Sequence, residues 1–557
     1  MNGSTCSESL RILTERTLRR SSTAANALPW REAFAVLVSA AAVSLIAIAW
    51  SWRNNALLNY GDAVAHLHIA RHVFDCRFHS IGEFGSVWLP LPHILMLPFV
   101  QVYAWWANGV AGLIPSALAY LAGCVGLYRI GRRWLEPSAA ALSLAVFALN
   151  PNLLYLQTTA MTEPLFLCEI IWAVAWLVEW QGALDDDPKR AARIEWLILL
   201  ALVAAVFTRY DGWMIAMLAW VGMGVTRLHN GQLAKRSFWI ASVILAAAPV
   251  AWFCYNATQF GDWLDFARGP YSALAIEMRT AAPGWPPHPG WHNPWVSELF
   301  FIKVAELGAL AVWRNFMLAL SAGGTAFACL IARRRAYLWT LLLWIPVPFY
   351  AYSVAYGSVP IFIPLWWPHS YYNTRYGMEL LPAIALGLGF VAQFAIGAVR
   401  EFKPELTKRA VAALAALVVF NTLGLIRERP LVYVESSKNV EARRPFDENI
   451  PLVMRQLLSR RPGAPVLMNS SVYPELIAFS GIPLSQTINE SDQYIYRAAL
   501  AAPAGHAAIV LAFDGDEIDR AVKAHPEGLI AVARFTAKGQ AAGTIYVSGT
   551  WRGDSLD

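Results

Sequence analysis

Asp62 and His66 stand one turn apart in the stretch GDAVAHLHIARHVFD, which directly follows the first long apolar run of the chain. At about 100° per residue, Ala63, Leu67, Ile69, Ala70, Val73 and Phe74 form an apolar face, with Asp62 and His66 within or beside it. A carboxylate turned that way is costly unless it has a partner or a function, which makes Asp62 a candidate general base. Gly-Asp before a helix is also an ordinary N-cap. His68, His72 and Asp75, at i, i+4 and i+7 on the other face, could present a metal site, but the wet side of an interfacial helix is the favoured reading.

Three further groups have the same character. In Met161-Thr162-Glu163-Pro164, Pro164 and Glu163 suit the first turn of a helix, with Thr162 as its cap. Alternatively, Glu163 is a second acid beside Asp62, sharing base and metal- or amine-binding work. Glu169 lies deeper in the same apolar run, where an acid normally faces a cavity or a partner. Arg209 and Asp211 in TRYDGW read as snorkelling with a local ion pair, or as a cation and acid of the same site. Arg375, in Tyr371-Tyr372-Asn373-Thr374-Arg375-Tyr376, suits a phosphate site, since guanidinium and the free N–H groups of a helix start both bind phosphate oxygens. Its structural alternative is an i, i+4 pair with Glu379. Asp62 and Glu163 are the expected catalytic residues. His66, Arg209, Asp211, Tyr372, Arg375 and Tyr376 are the expected substrate contacts.

The elements that must hold these residues are membrane helices. The chain has 557 residues, 57% hydrophobic and 15% charged, with mean hydropathy +0.42; soluble proteins carry about 25% charged residues. The architecture expected is mainly α, a polytopic bundle with a small C-terminal α/β domain. Spans are expected at about 33–52, 110–127, 138–156, 165–179, 196–207, 214–226, 238–255, 299–332, 337–354, 376–399 and 411–426, eleven in all. Residues 54–109, with Pro90, Pro92 and Pro98, read as helices at the outer interface rather than a straight crossing. Arg and Lys crowd alternate loops, including Arg129, Arg132, Arg133, Arg333, Arg334 and Arg335. The N-terminal tail, 1–32, is therefore cytoplasmic and all four candidate groups fall outside. The first run, behind Arg11, Arg16, Arg19, Arg20 and Arg31, reads as a retained anchor.

From about 428 to 557 the pattern changes to an outer α/β domain. PVLMNS and AIVLAF read as strands, VYPELIAFSG and DEIDRAVKAH as helices, and LIAVARF with GTIYVSG as a hairpin. The net charge of +6 resides in short loops and does not point to nucleic acid. The six cysteines make neither a disulfide framework nor a metal knuckle. There is no Walker A motif, and Gly387-Leu388-Gly389 lies inside a span. Outer acids and cations suit a negatively charged, lipid-borne substrate.

GDAVAHLHIARHVFD, VWLPLPH, MTEPLF, TRYDGW and NTRYGMELLPA resemble segments of membrane glycosyltransferases of the GT-C fold. The nearest types are protein O-mannosyltransferases and lipid A aminoarabinose transferases, and the resemblance covers about 33–426. It implies a multi-pass protein of a bacterial inner membrane, taking a sugar from a polyprenyl-phosphate donor to a lipid, glycan or protein acceptor on the extracytoplasmic face. It further implies an outer-loop acid as base (Asp62), a second acid (Glu163), and an arginine on the donor phosphate (Arg375, then Arg209). The first loop carries one Asp rather than an acidic pair, which leaves metal dependence open: no cofactor is certain, and a divalent cation is the candidate. The Trp-rich loop 285–295 would cover the pocket or stack on sugar. A transporter or flippase would favour inverted repeats and helices broken near mid-membrane, neither evident here; a scaffold would leave Asp62 and Glu163 unexplained.

Overall fold

The structure, a computed structural model, describes residues 28–77, 79–184, 186–280, 286–331, 335–357 and 359–550. The basic tail through residue 27 and Trp285 of the Trp-rich loop thus lie outside the described residues. The helices in chain order are α1 (Trp30–Arg53), α2 (Gly61–His72), α3 (Leu91–Val100), α4 (Tyr103–Asn108), α5 (Val110–Arg132), α6 (Pro137–Ala148), α7 (Pro151–Leu156), α8 (Glu163–Ala183), α9 (Pro188–Thr208), α10 (Asp211–His229) and α11 (Arg236–Phe260). Then come the short α12 (Asp265–Arg268) and α13 (Ala273–Thr280), α14 (Pro294–Ala309), α15 (Arg314–Ile331), α16 (Pro346–Tyr356), α17 (Leu381–Phe402), α18 (Thr407–Arg427) and α19 (Leu431–Arg460). Eight helical runs among the described residues are long and apolar enough to cross a membrane, and the protein is a multi-pass membrane protein.

Each of the eleven expected spans coincides with a helix or a helical pair, but several are interrupted. The run 138–156 breaks at Asn150, because a residue before proline avoids the α region and Pro151 starts a new helix. The Asn150 side chain caps α7, and Asn150 and Asn152 both donate to the Gly308 carbonyl at 2.9 Å. The expected single span 299–332 is two helices, α14 and α15. Asn421 of α18 seals the break: its carbonyl accepts the Ala311 N–H at 2.8 Å, and its amide donates to the Ala309 carbonyl at 3.0 Å. Segment 54–109 forms α2, α3 and α4 with irregular connections, as its prolines predict.

Loops assigned to one side of the membrane by their basic residues do meet one another. Arg132 pairs with Glu32 at 2.7 Å, Arg129 with Glu179, Arg227 with Glu195 and Arg400 with Glu136. The four candidate groups lie together at another end of the bundle, where the C-terminal domain sits.

That domain contains a five-stranded mixed sheet of β1 (Val466–Met468), β2 (Thr487–Ile488), β3 (Ile509–Phe513), β4 (Leu529–Phe535) and β5 (Gly543–Ser548), in the order β2-β1-β3-β5-β4. β1 pairs in parallel with β2 and β3; β5 runs antiparallel to β3 and β4. The helices are α20 (Glu475–Ser480), α21 (Gln493–Ala501), α22 (Pro503–His506) and α23 (Glu517–Ala524). The hairpin, two strands and two helices match the sequence pattern; β2 and the 30-residue α19 do not appear in it. α19 leaves the last span and buries Phe446, Ile450 and Met454 in the core of the sheet domain.

The polar face of α2 is not wet. His68, His72 and Asp75 are buried: the His68 ring lies 5.3 Å from that of Trp106, and the C-terminal domain is seated on Asp75. Asp75 accepts N–H bonds from Leu484 and Ser485 at 3.2 and 3.0 Å and the Ser485 hydroxyl at 2.6 Å. Burial works against its charge, but Ser485 and Arg71 hold its carboxyl below the usual range. Arg77 donates to the carbonyls of Thr487 and Gln486. His72 bonds Glu83 at 2.8 Å, so the three side chains do not converge on a metal.

Candidate active site

A cavity of about 2300 Å³ opens between the helix ends and the C-terminal domain. All eight residues singled out in the sequence line it: Asp62, His66, Glu163, Arg209, Asp211, Tyr372, Arg375 and Tyr376.

Asp62 does not cap α2. Tyr60 holds the N-cap position, and the Asp62 carboxylate accepts Arg375 Nη2 at 2.6 Å with 41% of its side chain exposed. Glu163 opens α8 and is fully buried. Its Oε1 receives Arg375 Nε at 3.1 Å and Arg209 Nη1 at 3.3 Å. Thr162 makes no cap bond and instead accepts Arg209 Nη1 at 3.0 Å. Glu169 accepts the Thr208 hydroxyl at 2.8 Å, which supplies its partner within the bundle.

Arg209 is partly buried within the site rather than snorkelling, with 15% of its side chain exposed. It lies 3.5 Å from Asp211 and 2.8 Å from Glu379, and donates to the Tyr350 hydroxyl at 2.7 Å. The Tyr350 hydroxyl in turn donates a hydrogen bond to Glu379 at 2.7 Å. The i, i+4 pairing of Arg375 with Glu379 is not made. Thr374–Leu380 is a 3-10 turn with about three residues per turn, so the fourth residue along does not share a face.

Arg375 is held by three carboxylates: Asp62, Glu163 and, at 3.7 Å, Glu435. Its guanidinium lies 5.4 Å from the Tyr60 ring and 4.8 Å from the Tyr376 ring, contacts that favour a desolvated cation. The N–H groups expected to join Arg375 on a phosphate are already occupied, since Glu435 accepts those of Asn373 and Thr374.

His66 is buried, with its ring 4.5 Å from that of Trp88 and tilted to it by 46°, and bonds His93 at 2.8 Å. Burial, then Arg375 and Arg209, push its ring down to about 3, so it serves as a neutral hydrogen-bonding wall. Tyr372 is 44% exposed at the rim. Pro286, Pro287, His288 and Trp291 also line the cavity, whereas Trp295 is exposed. Among the described residues no group of three or more His, Cys, Asp or Glu is arranged to hold a metal ion.

Sequence reasoning missed Glu435, Tyr350 and Tyr60. Glu435 falls in a polar stretch where an acid is unremarkable, and the tyrosines are two of twenty.

A spanning bundle with an interfacial helical segment after its first helix, a mixed-sheet domain behind its last, and an acid- and arginine-lined cavity between them defines the GT-C fold of membrane glycosyltransferases. No family model matches the chain. It is similar to ArnT from Cupriavidus metallidurans bound to undecaprenyl phosphate, with TM-score 0.54, 14% identity, and coverage of 91% of this chain and 97% of that one. The apo state of the same protein gives TM-score 0.54, 13% identity and the same coverage. A curated relative is undecaprenyl phosphate-alpha-4-amino-4-deoxy-L-arabinose arabinosyl transferase 2 of Proteus mirabilis (strain HI4320), 21% identical over 306 residues. The match covers 52% of this chain and 52% of that protein, so the chain spans about half the length of this curated relative.

Proposed function

We propose that the protein transfers a glycosyl group from a polyprenyl-phosphate donor to a lipid-borne acceptor at the extracytoplasmic face of a bacterial inner membrane. The observation that carries this reading is the contact of Asp62 with Arg375 at 2.6 Å inside a large cavity. An acid and a phosphate-gripping cation are thereby brought to one place. The relatives support it: one is named as an undecaprenyl-phosphate arabinosyl transferase and another was solved with undecaprenyl phosphate bound.

The reaction is a one-step displacement. The donor phosphate takes over Arg375 Nη2. Asp62 is the most exposed of the three carboxylates on that guanidinium, at 41% against 0% for Glu163 and 3% for Glu435, so it is the one released. Freed, Asp62 accepts the proton of the acceptor hydroxyl. The acceptor oxygen bonds to the anomeric carbon, the bond from that carbon to the phosphate oxygen breaks, and its electron pair leaves with the phosphate. Arg375 stabilises the charge that develops there. Glu163 holds Arg375 and Arg209 in register, and the polyprenyl tail lies between spans. In this reading residues 1–32 are cytoplasmic, 33–427 form the membrane unit and 428–557 the outer domain.

The test uses membranes carrying wild type, Asp62→Asn or Arg375→Ala and labelled polyprenyl-phosphate sugars. Loss of a general base is expected to slow transfer by at least about 100-fold. Undiminished transfer by Asp62→Asn removes Asp62 from the mechanism. Labelling of introduced cysteines with an impermeant thiol reagent in intact cells tests the orientation: one at exposed Ser471 is expected to react, one at Glu405 to be protected.

A further inference from the structure

One carboxylate beside the site belongs neither to the outer loops nor to the span ends. Glu435 lies in the second turn of α19, with its side chain 3% exposed. Its Oε1 accepts the Asn373 N–H at 2.9 Å, and its Oε2 accepts the Thr374 N–H at 2.8 Å and the Thr374 hydroxyl. These N–H groups begin the Thr374–Leu380 turn and α17, where donors lack partners within the helix and attract an anion. A protein carboxylate therefore fills the anion position at this helix start. Asn373, just before the turn, sits at φ +54°, a left-handed conformation that needs local support. The clamp also constrains the guanidinium next door. With Nη1 facing Glu435 and Nε facing Glu163, Nη2 is the nitrogen turned to Asp62.

The same helix reaches the acid. Arg443, two turns further along α19, donates to the carbonyls of Leu58 at 3.0 Å and Asn59 at 3.3 Å, in the segment leading into α2 and Asp62. The Tyr60 hydroxyl donates to the Val432 carbonyl at 2.9 Å. One helix thus ties both turns that present the reacting pair.

We infer that Glu435 is a positioning residue: it aims Arg375 at the donor phosphate without lining the cavity itself. The inference rests on the reading of Arg375 as the phosphate cation. Its test is the affinity of the purified full-length protein for undecaprenyl phosphate, measured for wild type, Glu435→Gln, Arg375→Ala and the double variant. Glutamine keeps the shape but presents a donor to one backbone N–H, which loosens the turn that aims Arg375. Glu435→Gln is expected to bind about tenfold more weakly, and the double variant no more weakly than Arg375→Ala, since a residue acting only through another shows no effect once that other is gone. Thr374→Val deletes one of the three donors and is expected to weaken binding roughly twofold; it serves if Glu435→Gln does not fold. Wild-type affinity in both the Glu435→Gln and Thr374→Val variants overturns the inference, as does an equal loss from Glu435→Gln with and without Arg375. A wild-type protein that ignores undecaprenyl phosphate, or an Arg375→Ala variant that binds it normally, overturns the reading of the site, and the inference falls with it.

Discussion

Asp62 is one of three carboxylates paired with Arg375, and the roles proposed for the two separate binding from chemistry in a measurable way. If phosphate must displace the Asp62 carboxylate from Nη2, then Asp62→Asn removes both a competitor and a negative charge. Its affinity for undecaprenyl phosphate is expected to rise about threefold to tenfold while transfer is lost; an equilibrium binding titration beside a transfer assay checks both signs. Weaker binding would instead make Asp62 a ligand of the donor. Most of this site was legible because charge beside an apolar run is costly, so Asp62, Glu163, Arg209, Asp211 and Arg375 stood out by position. Which carboxylate each guanidinium takes was not legible. That depends on the 3-10 pitch of Thr374–Leu380, which turns Glu379 to Arg209 and leaves Arg375 to partners 212 and 313 residues away in sequence.

Helices delivered these side chains by means that only partly show in sequence. The turn bearing Arg375 lies against α14 through Gly377, where an added Cβ would sit 2.7 Å from the Ala305 nitrogen. Gly377→Ala is expected to lower thermal stability by on the order of 1–3 kcal/mol and to reduce transfer beyond any loss of folded protein, read by a thermal-shift assay and a transfer assay on equal amounts of monodisperse protein. α2 was legible as a helix, but its polar face was assigned to water because sequence carries no sign of what docks from 409 residues away. Asp75→Ala leaves the Leu484–Ser485 turn without its acceptor. It is expected to speed protease cleavage of the C-terminal domain, at a cost of about 1–3 kcal/mol; an unchanged cleavage rate would mean that the seat does not depend on this acid. α19 escaped notice for a simpler reason, since Pro445 and Pro451 interrupt a polar sequence and argue against a helix of this length.

Across the whole molecule, the alternation of basic loops sorted the chain into two sides, and the pairing of Glu32, Glu136, Glu179 and Glu195 with arginines follows that sorting. The break between α14 and α15 was invisible because its seal, Asn421, lies in another helix. The junction of the two units adds a pH response. Glu475, 3.1 Å from Arg443, is buried enough to push its carboxyl up to about 7 against an ordinary 4.5. The folded state thus favours the protonated form. This contribution to stability is complete below about pH 4.5 and is lost as pH rises through about 7. Wild type is expected to melt at a lower temperature at about pH 8 than at about pH 5, with a smaller difference in Glu475→Gln; identical slopes in thermal shift would exclude Glu475 as the source. The path of α19 also decides how such proteins can be recombined. A chimera that exchanges the outer domain at residue 428 would discard Glu435 and Arg443 along with it, and the bundle would lose the side chains that hold the Asn373–Thr374 turn and the segment leading into α2. A graft joined beyond Arg460, where α19 ends, keeps those side chains and leaves the incoming domain free to differ.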